Sequence, residues 1–346
     1  VMNPPHSSTS GQPPERDERQ RDAAAAEAVV AVVIPAYRVR SRILPVLEHI
    51  GPEVSLIYVV DDACPEQTGR FVEEHVADPR VKVIRNAENQ GVGGATLAGM
   101  ERALAEGAEV IVKIDGDGQM EPAMIPSFVG VITAGEADYT KGNRFYRPES
   151  LRGMPAVRLI GNAALSFINK LSTGYWPIMD PTNGYTAIHS AVLRQLPLDK
   201  LERRYFFESD MLYRLNVLRA VVQDVPMDAV YADEESSLRV SKVLPEFLGK
   251  HIARFFKRYV YQYLVRDFNI GSLYSVLGTL LCLAGLLFGS ARWLHSIATG
   301  LPASSGTVMA AALPIFIGIQ FLIAFLHHDV SSVPREPLCT EVVDDA

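Results

Sequence analysis

Two long stretches without a charged residue constrain the fold of this chain more than any other feature. The first runs from Phe268 to Ala291 and the second from Ser296 to Leu326. Both exceed the roughly 20 residues with which an α-helix crosses the hydrocarbon core of a bilayer. A buried helix pair in a soluble domain is the alternative, but two such windows are rare in one soluble domain. We therefore expect a transmembrane helical hairpin at about Ile270–Gly289 and Val308–Leu326.

The segment before the first window is predicted to form a basic amphipathic helix. From about Ser241, large apolar residues recur near a helical period, and cations fill the gaps at Lys250, Arg254, Lys257 and Arg258. Such a helix fits a membrane interface, where long cationic side chains meet anionic headgroups; a surface helix packed on the preceding domain is the alternative. The loop between the two windows holds a single cation, Arg292. By the positive-inside rule, the preceding domain and the carboxyl-terminal tail should both be cytoplasmic.

Composition excludes several classes of protein. The chain has 33 basic and 40 acidic residues, which argues against a nucleic-acid binder, and its three isolated cysteines offer no disulfide framework or Cys-x-x-Cys pair. Residues 1–28 lack apolar periodicity and are predicted to be a disordered tail. They also lack the basic-then-apolar order of a secretory signal, so the domain that follows is not expected to be exported.

Short apolar runs alternate with helical patterns after the tail. The runs are Val29–Ile34, Leu56–Val60, Val81–Ile84 and Val110–Ile114, and the clearest helical stretch is Ala95–Ala105. This alternation predicts a mostly parallel sheet with helices on both faces. Polar residues just past the carboxyl ends of the strands then lie along one rim. They are Pro35–Tyr37, Asp61–Asp62 and Asp115–Asp117.

Two carboxylates, Asp115 and Asp117, follow the fourth run with a glycine between them. Neighbouring carboxylates in a poorly solvated site repel each other and need a cation. Hard oxygen ligands select Mg²⁺ or Mn²⁺, which commonly complete their coordination with the phosphates of a substrate. An Asp-x-Asp pair is common in turns, but at the end of a buried strand it predicts a divalent-metal site.

Four segments together resemble family-2 glycosyltransferases with the GT-A fold. They are Val33-Ile34-Pro35-Ala36-Tyr37, Val59-Val60-Asp61-Asp62-Ala63, Asn89-Gln90-Gly91-Val92-Gly93-Gly94-Ala95 and Asp115-Gly116-Asp117-Gly118-Gln119. The resemblance covers about residues 29–240 and implies an α/β, Rossmann-like GT-A domain. It implies that Pro35, Tyr37, Asp61, Asp62, Gly91 and Asp115 contact the nucleotide of a nucleotide-sugar donor. The glycines after Asn89 do not form G-x-G-x-x-G, so a dinucleotide-binding dehydrogenase is disfavoured.

Within that family the sequence resembles the polyprenyl-phosphate branch, which includes dolichol-phosphate mannosyltransferase and bacterial enzymes that load undecaprenyl phosphate. Gln119 matches a third protein ligand of the metal beside Asp115 and Asp117. The segment Lys141-Gly142-Asn143-Arg144-Phe145 resembles the branch's Gly-Ser-Arg-Tyr. Arg144, Arg158 and Asn162 match the spacing of groups that bind the acceptor phosphate. The basic helix and the apolar hairpin are further features of this branch.

The resemblance also implies acidic residues near the reacting centre. The segment Asp180-Pro181-Thr182-Asn183-Gly184-Tyr185 resembles the family's Asp-x-x-x-Gly-Phe, and Glu208 in Glu208-Ser209-Asp210 falls where relatives carry an acceptor-side acid. We take Asp180, Glu208 and Asp117 as catalytic candidates. A helix cap is the alternative for Asp180, Glu208 and Asp210, since Asp is favoured there.

Two departures from the family's pattern affect the donor side. Arg38 and Val39 replace the Asn-Glu that often ends the first rim motif, so the usual ribose-binding carboxylate is missing. Near the end of the domain, Ser236–Lys242 keeps only the Ser-Lys of Arg-x-x-Gly-x-Ser-Lys and moves the arginine. Arg239 and Lys242 are therefore candidates for contacts to the donor diphosphate.

The predicted function is metal-dependent, inverting transfer of a sugar from a UDP- or GDP-linked donor to polyprenyl phosphate at the cytoplasmic face of the inner membrane. Predicted segments are a tail (1–28), a GT-A catalytic domain (29–240), juxtamembrane amphipathic helices (241–269), two transmembrane helices (270–327) and a cytoplasmic tail (328–346). Two spans are too few to flip a lipid, so a separate flippase is expected, and a homo-oligomer remains possible.

Two other functions remain open at this point. A processive polysaccharide synthase would carry Gln-x-x-Arg-Trp, whereas here Gly289 precedes Arg292-Trp293 at the edge of a membrane segment. A non-catalytic membrane scaffold that has kept the fold is disfavoured by the intact acidic and basic motifs.

Overall fold

The computed structural model describes residues 28–146, 156–228 and 240–341, without the side chains of residues 156–160, 240–244 and 341. The predicted tail therefore lies outside the described residues except for Ala28, which packs in the core. Arg239 also lies outside them.

Seven strands and eleven α-helices are present in the described part of the chain. The strands are β1 (Val30–Ala36), β2 (Leu56–Asp61), β3 (Val81–Arg85), β4 (Val110–Lys113), β5 (Tyr139–Asn143), β6 (Thr186–His189) and β7 (Val222–Pro226). The helices are α1 (Ile43–Glu48), α2 (Thr68–His75), α3 (Gly91–Ala105), α4 (Ile125–Thr133), α5 (Ala156–Thr173), α6 (Ser190–Leu193), α7 (Phe207–Leu218), α8 (Val240–Tyr259), α9 (Ile270–Thr299), α10 (Ser305–Ser331) and α11 (Leu338–Glu341). Shorter elements are two 3₁₀ turns, Pro122–Met124 and Leu198–Lys200, and a π-helix, Val260–Arg266.

The strands form one sheet in the order β3-β2-β1-β4-β6-β5-β7. The pairs β1–β2, β1–β4, β2–β3 and β5–β7 are parallel, and β6 runs antiparallel to both of its neighbours. One apolar cluster packs on each face of the sheet. The predicted α/β class and mostly parallel sheet are confirmed. Pro35, expected just past the end of the first apolar run, lies within β1, because pairing continues through Pro35–Val60 and Ala36–Asp61.

The register of four strands aligns polar residues in one row across the rim of the sheet. Lys113 on β4 and Lys141 on β5 both lie opposite Thr186 on β6, and Lys141 also lies opposite Asp224 on β7. Directly opposite residues point to the same face of a sheet. Two lysines and an aspartate therefore share one face at the edge where the rim motifs lie.

Helix α8 packs on the domain through its cations. Lys250 Nζ lies 2.8 Å from Glu202 Oε2, and Arg254 Nε donates to Asp210 Oδ1 at 2.5 Å. Arg258 pairs with Asp329 of α10. The expectation that these three cations face lipid headgroups is wrong, because acidic residues of the folded chain draw them inward. The outer face of the helix is instead apolar, with exposed side chains at Leu248, Ile252, Phe256 and Val260.

Helices α9 and α10 form the predicted hairpin, and both are long and apolar enough to cross a membrane. Helix α10 extends beyond its predicted window at both ends, whereas α9 begins at the predicted Ile270 and continues past Gly289 to Thr299. Close backbone approach holds them together: a Cβ on Gly278 would lie 2.9 Å from Gly318 O, and a Cβ on Gly285 would lie 2.8 Å from Ala311 O. Small residues of this kind are the usual means of tight helix packing in membranes.

The chain after the hairpin returns to the catalytic domain. The backbone N–H groups of Leu338 and Cys339 donate to the Asp138 carboxylate at 3.0 and 2.8 Å, and the Cys339 side chain is buried. Leu338 and Cys339 are therefore docked on the domain. This contact lies next to the first residue of β5, at the end of that strand opposite to the rim.

Candidate active site

A buried lysine at the end of β4 joins two carboxylates. Lys113 Nζ lies 2.9 Å from Asp115 Oδ1 and 3.3 Å from Glu208 Oε1, the latter on the first turn of α7. Burial by itself would lower the pKa of Lys113, but the charges of Asp115 and Glu208 and hydrogen bonds to them raise it above its usual value. Lys113 is therefore an ammonium that holds together two predicted site residues from distant parts of the sequence.

The loop before β6 covers this ion pair. A Cβ on Gly184 would lie 2.7 Å from Asp115 Oδ2 and would also overlap Lys113 Nζ, so this position has no room for a side chain. The next residue, Tyr185, is buried and stacks on Phe128 with 4.0 Å between ring centroids. The close approach explains why the sequence has glycine here.

A second buried lysine fixes the same loop from β5. Lys141 is fully buried, and its Nζ donates to the carbonyl oxygen of Asn183. Burial lowers the pKa of Lys141 to about 8, although the charges of Glu208 and Asp180 act in the opposite direction. Lys141 on β5 thus holds the loop before β6 against the sheet.

Arg144 and Asp180, both predicted from the sequence, form a forked ion pair. Arg144 Nε donates to Asp180 Oδ2 at 2.7 Å and its NH2 group donates to Oδ1 at 3.0 Å. The carboxylate is 1% exposed, whereas the guanidinium side chain is 32% exposed. Two parallel charge-assisted bonds fix the plane of a guanidinium group. Asp180 therefore orients Arg144 at the rim.

Asp224 on β7 lies beside this pair. Its Oδ2 accepts from Asn143 Nδ2 at 2.8 Å and from the backbone N–H of Met179 at 3.2 Å. Its buried Oδ1 has no hydrogen-bond donor among the described residues. Burial raises the pKa of Asp224 to about 6. The carboxylate thus holds the residue that precedes Asp180.

Asp61 and Asp62 anchor two helices to the rim. The Asp61 oxygens accept from the backbone N–H groups of Cys64 at 2.7 Å and Gly69 at 2.6 Å, in the first turn of α2. Asp62 Oδ2 accepts from Gly91 N at 2.8 Å, at the first residue of α3. Carboxylates are favoured at helix N-termini. The predicted nucleotide contacts of both residues stay predictions, and they would use the remaining lone pairs of these carboxylates.

The other predicted donor residues lie at the end of β1 and the start of α3. Pro35 is in the strand, and the Tyr37 ring just beyond it is 43% exposed, with the Arg38 guanidinium 5.4 Å from its centroid. Gly91 has a φ of +84°, and a Cβ there would lie 2.7 Å from Arg203 O. An exposed aromatic ring at the rim is suited to stack on a nucleobase.

The residues after β4 fit a divalent metal by their donor chemistry. Gly118, with a φ of +76°, allows a turn in which Gln119 N–H donates to Asp117 Oδ1 at 3.0 Å. Asp115, Asp117 and Gln119 supply two carboxylates and an amide oxygen, which are hard donors of the kind that Mg²⁺ and Mn²⁺ prefer. Across residues 28–146, 156–228 and 240–341, no three His, Cys, Asp or Glu residues form a metal cluster. The predicted set would therefore leave several coordination positions to phosphate and water oxygens.

The structure separates two acidic candidates on α7. Glu208 faces Lys113, whereas Asp210 is fully buried and accepts from Arg254 of α8 and from Arg214 Nε, the latter at 3.0 Å. Positions two apart on an α-helix differ by about 200° in direction, which places them on opposite sides. Asp210 therefore serves helix docking, and only Glu208 reaches the site.

The predicted acceptor and diphosphate residues are less fully described. Arg158 and Asn162 both lie on α5, and Asn162 is half-buried. The side chains of Arg158 and Lys242 are outside the described residues, as is the whole of Arg239. Their contacts with ligands stay predictions.

Three residues of the site were missed by sequence reasoning, namely Lys113, Lys141 and Asp224. A lysine that ends an apolar strand directly before an Asp-x-Asp pair was the available signal for Lys113. The strand register that aligns Lys141 and Asp224 has no local signal, since it depends on how β5, β6 and β7 pair.

Comparison with known proteins identifies the class of this protein. Residues 31–196 match the family model described as glycosyl transferase family 2. The undecaprenyl-phosphate mannosyltransferase of Micrococcus luteus is 31% identical over 229 residues, which are 64% of this chain and 90% of that protein. The UDP-N-acetylglucosamine–dolichyl-phosphate N-acetylglucosaminyltransferase of Methanococcus voltae is 28% identical over 64% of this chain and 93% of its own length.

A solved structure supports the fold. Glucosyl-3-phosphoglycerate synthase from Mycobacterium tuberculosis, in complex with Mn²⁺, UDP and glucosyl-3-phosphoglycerate, superposes with a TM-score of 0.51 and 20% identity, over 72% of this chain and 86% of that one. The GT-A fold is therefore confirmed. The chain belongs to glycosyl transferase family 2, and it is a glycosyltransferase.

Proposed function

We propose that this protein transfers a sugar, with inversion at the anomeric carbon, from a nucleotide-sugar donor to a polyprenyl phosphate. The observation that carries the proposal is the match to 90% of an undecaprenyl-phosphate mannosyltransferase. The site supports it, because Lys113 and Arg144 bring positive charge to a rim that would otherwise hold Asp115, Asp180 and Glu208 alone. Two anionic substrates could not approach such a cluster of carboxylates without that compensation.

The donor half of the proposed site is the β1–β2–β4 rim. Tyr37 stacks on the base, and Asp61 and Asp62 hold the N-termini of α2 and α3 in place around it. Asp115, Asp117 and Gln119 would hold Mg²⁺ or Mn²⁺, which would supply positive charge to the donor diphosphate and to the departing nucleotide. Lys113 holds the Asp115 carboxylate in position.

The acceptor half of the proposed site is Arg144 with α5. A lipid phosphate is an anionic nucleophile near neutral pH, because its second pKa is about 6. The protein therefore has to bind and orient the phosphate rather than deprotonate it. Asp180 holds the Arg144 guanidinium in one plane, and Glu208 is held by Lys113, with 3.3 Å between Oε1 and Nζ. Arg158 and Asn162 on α5 extend the phosphate site.

The membrane arrangement follows from the hairpin. Helices α9 and α10 span the bilayer, the catalytic domain and both flanks of the hairpin lie on the cytoplasmic side, and the product lipid needs a separate flippase. Relatives that act on polyprenyl or dolichyl phosphate support a membrane protein of this kind. The exposed apolar face of α8 would lie against the same lipid surface.

The test is a glycolipid assay with the purified full-length protein. Undecaprenyl phosphate and MgCl₂ or MnCl₂ are combined with a panel of UDP- and GDP-sugars, and products are identified by mass spectrometry. One donor should give a monoglycosylated polyprenyl phosphate and release a nucleoside diphosphate, and EDTA should stop the reaction. The sugar will be identified by the panel, since the two named relatives transfer different sugars.

Controls separate the proposed acceptor from others. Arg144→Met should abolish lipid glycosylation while leaving binding of the nucleotide sugar within twofold, since the donor residues lie on other strands. Long glycan chains in place of a single lipid-linked sugar would instead support a processive synthase. Transfer to a soluble acceptor but never to the lipid phosphate would overturn the proposal.

A further inference from the structure

A buried carboxylate near the end of the hairpin collects hydrogen bonds from three other elements. Asp329 of α10 accepts from Arg258 NH1 at 2.6 Å and NH2 at 3.0 Å, from Tyr263 OH at 2.6 Å and from Trp176 Nε1 at 2.9 Å. Asp329 and Arg258 are only 4% and 2% exposed. We call these four residues the Asp329 cluster.

Each donor in the Asp329 cluster comes from a different element of the chain before the hairpin. Arg258 is on α8 and Tyr263 on the π-helix, whereas Trp176 lies in the loop that follows α5. A buried charge needs pairing and hydrogen bonding. The four bonds supply them for the Asp329 carboxylate, whereas Arg258 Nε has no acceptor among the described residues. The cluster therefore has one favoured arrangement, in which the end of α10 is locked to α8 and to this loop.

Arg258 also closes the end of α5. Its NH2 donates to Leu171 O at 2.9 Å, and its NH1 would lie 2.8 Å from a Cβ on Gly174, whose φ is +80°. Gly174 follows the last residue of α5, so the guanidinium lies at the negative end of that helix, where a cation is favoured. Helix α5 carries Arg158 and Asn162, the proposed acceptor residues.

In the loop that follows α5, Trp176 is separated from Asp180 by only three residues. Ile178 is buried between them, and the Met179 N–H is held by Asp224. Asp180 then orients Arg144. Five consecutive residues, 176–180, thus join the hairpin to the guanidinium of the acceptor site. Asp329 binds the first of them, Trp176, and Arg144 binds the last, Asp180.

We propose that Asp329 is a positioning residue, which acts from the membrane hairpin through Trp176 to hold the Asp180 loop and α5 in place for the lipid phosphate. This inference rests on the proposed function for the identity of the acceptor. The donor residues on β1, β2 and β4 have no bond to the cluster among the described residues. Loss of the cluster should therefore weaken acceptor use and spare donor binding.

The first test is Trp176→Phe, which removes the indole N–H and keeps an aromatic ring against Phe167, whose centroid lies 6.2 Å away. The variant should fold, because Arg258 and Tyr263 still satisfy Asp329. Loss of one hydrogen bond to a charged group changes an equilibrium constant by about tenfold. The KM for polyprenyl phosphate should therefore rise about tenfold. The KM for the nucleotide sugar should stay within twofold.

The matched control is Trp293→Phe at the only other tryptophan of the chain, which is exposed on α9. It should leave both KM values unchanged. It also makes Trp176 the single tryptophan, so that, with excitation selective for tryptophan, Asp329→Asn added to it should shift the emission to longer wavelength. Asp329→Asn should raise the acceptor KM at least as much as Trp176→Phe.

Hydrogen–deuterium exchange tests the coupling without activity. Exchange in residues 177–183 should rise in Trp176→Phe relative to the wild type and to Trp293→Phe. Unchanged exchange there, or an equal change of both KM values, would overturn the inference. If the wild type makes no glycolipid from any donor, the proposed function fails, while the exchange and fluorescence results still decide whether Asp329 positions the loop.

Discussion

At the scale of single residues, charge compensation decides how this site can exist. Asp115 and Glu208 lie on either side of one ammonium group at the edge of an apolar core. Arg144 forms an ion pair with Asp180, whose side chain is 1% exposed. Lys113 and Arg144 thus offset part of the negative charge of these three carboxylates, which lowers the repulsion that phosphates would meet at the rim.

Lys113→Met is expected to abolish sugar transfer. It leaves Asp115 and Glu208 together without their shared cation, and removing one partner of a buried pair costs about 3 kcal/mol of unfolding free energy. The double variant Lys113→Met/Glu208→Gln should regain part of that stability but no activity. Thermal unfolding and the glycolipid assay measure the two effects. Lys82→Met, which breaks the exposed Lys82–Glu106 pair, is the control and should change little.

Gly184→Ala should inactivate the enzyme through a single methyl group. The new Cβ would lie 2.7 Å from Asp115 Oδ2 and would displace either the carboxylate or the loop. We expect a loss of activity of at least about 100-fold, since small misplacements at a reacting centre have effects of that size. Gly130→Ala on α4 is the control, because a Cβ there meets nothing within 4 Å. Equal activities of the two variants would refute the close approach.

Lys141 predicts a pH dependence of stability. Its pKa is about 8 in the folded protein because of burial, compared with about 10.4 in an unfolded chain. Between these values the unfolded chain binds more protons, so Lys141 makes the wild type more stable as pH rises. Lys141→Met lacks this contribution. The unfolding free energy of the wild type should therefore improve relative to the variant from pH 8 to pH 10, as measured by denaturant titration.

Residue types at the rim were predictable, but their partners were not. The pattern of strand ends placed Asp61, Asp62, Asp115 and Asp117 on one edge, and this is where they lie. The salt bridge from Lys113 to Glu208 joins residues 95 positions apart. No local periodicity encodes such a pair, because it depends on how α7 packs against β4.

At the scale of elements, glycines set the distance between α9 and α10. Gly278→Leu should push the helices apart, because even a Cβ at this position would lie 2.9 Å from Gly318 O and 3.0 Å from Leu322 Cγ. Overpacking of this kind costs about 1–3 kcal/mol. The melting temperature in detergent should fall, whereas Leu280→Ile, at an exposed site on the same helix, should leave it unchanged.

Helix α8 shows that a periodic pattern can predict a helix without predicting which of its faces packs on the domain. Its apolar and basic residues predicted an amphipathic helix, and a helix is present. Which face points to the domain was decided by Glu202, Asp210 and Asp329, whose carboxylates pair with its cations. A buried acid attracts a cation more strongly than a screened lipid surface does.

At the scale of the whole molecule, the two ends of the hairpin are both attached to the catalytic domain. Helix α8 and the π-helix lead into α9, and Leu338 and Cys339 dock on Asp138 after α10. In the proposed membrane arrangement, the domain would be held against the bilayer from two sides. Such an attachment would restrict its rotation relative to the bilayer and favour one orientation of the site.

The proposed topology predicts which positions react from each side of the membrane. Ala303→Cys, in the loop between α9 and α10, and Glu66→Cys, exposed on the domain, are made in a chain whose own three cysteines are replaced by alanine. A membrane-impermeant maleimide should label Ala303→Cys in right-side-out vesicles and Glu66→Cys only in inverted ones. Labelling of both from the same side would contradict a spanning hairpin.

The sequence by itself determined the parts of this protein that depend on local pattern. Alternating apolar runs specified the sheet, charge-free windows specified the hairpin, and strand ends placed the acidic motifs on one rim. Tertiary structure alone decided that Lys113 pairs with Glu208, that Lys141 lies in the site, that Asp210 faces α8, and that Asp329 reaches Trp176. The physical reason is that a charge buried on folding takes whichever partner the packing of distant elements brings within hydrogen-bond distance.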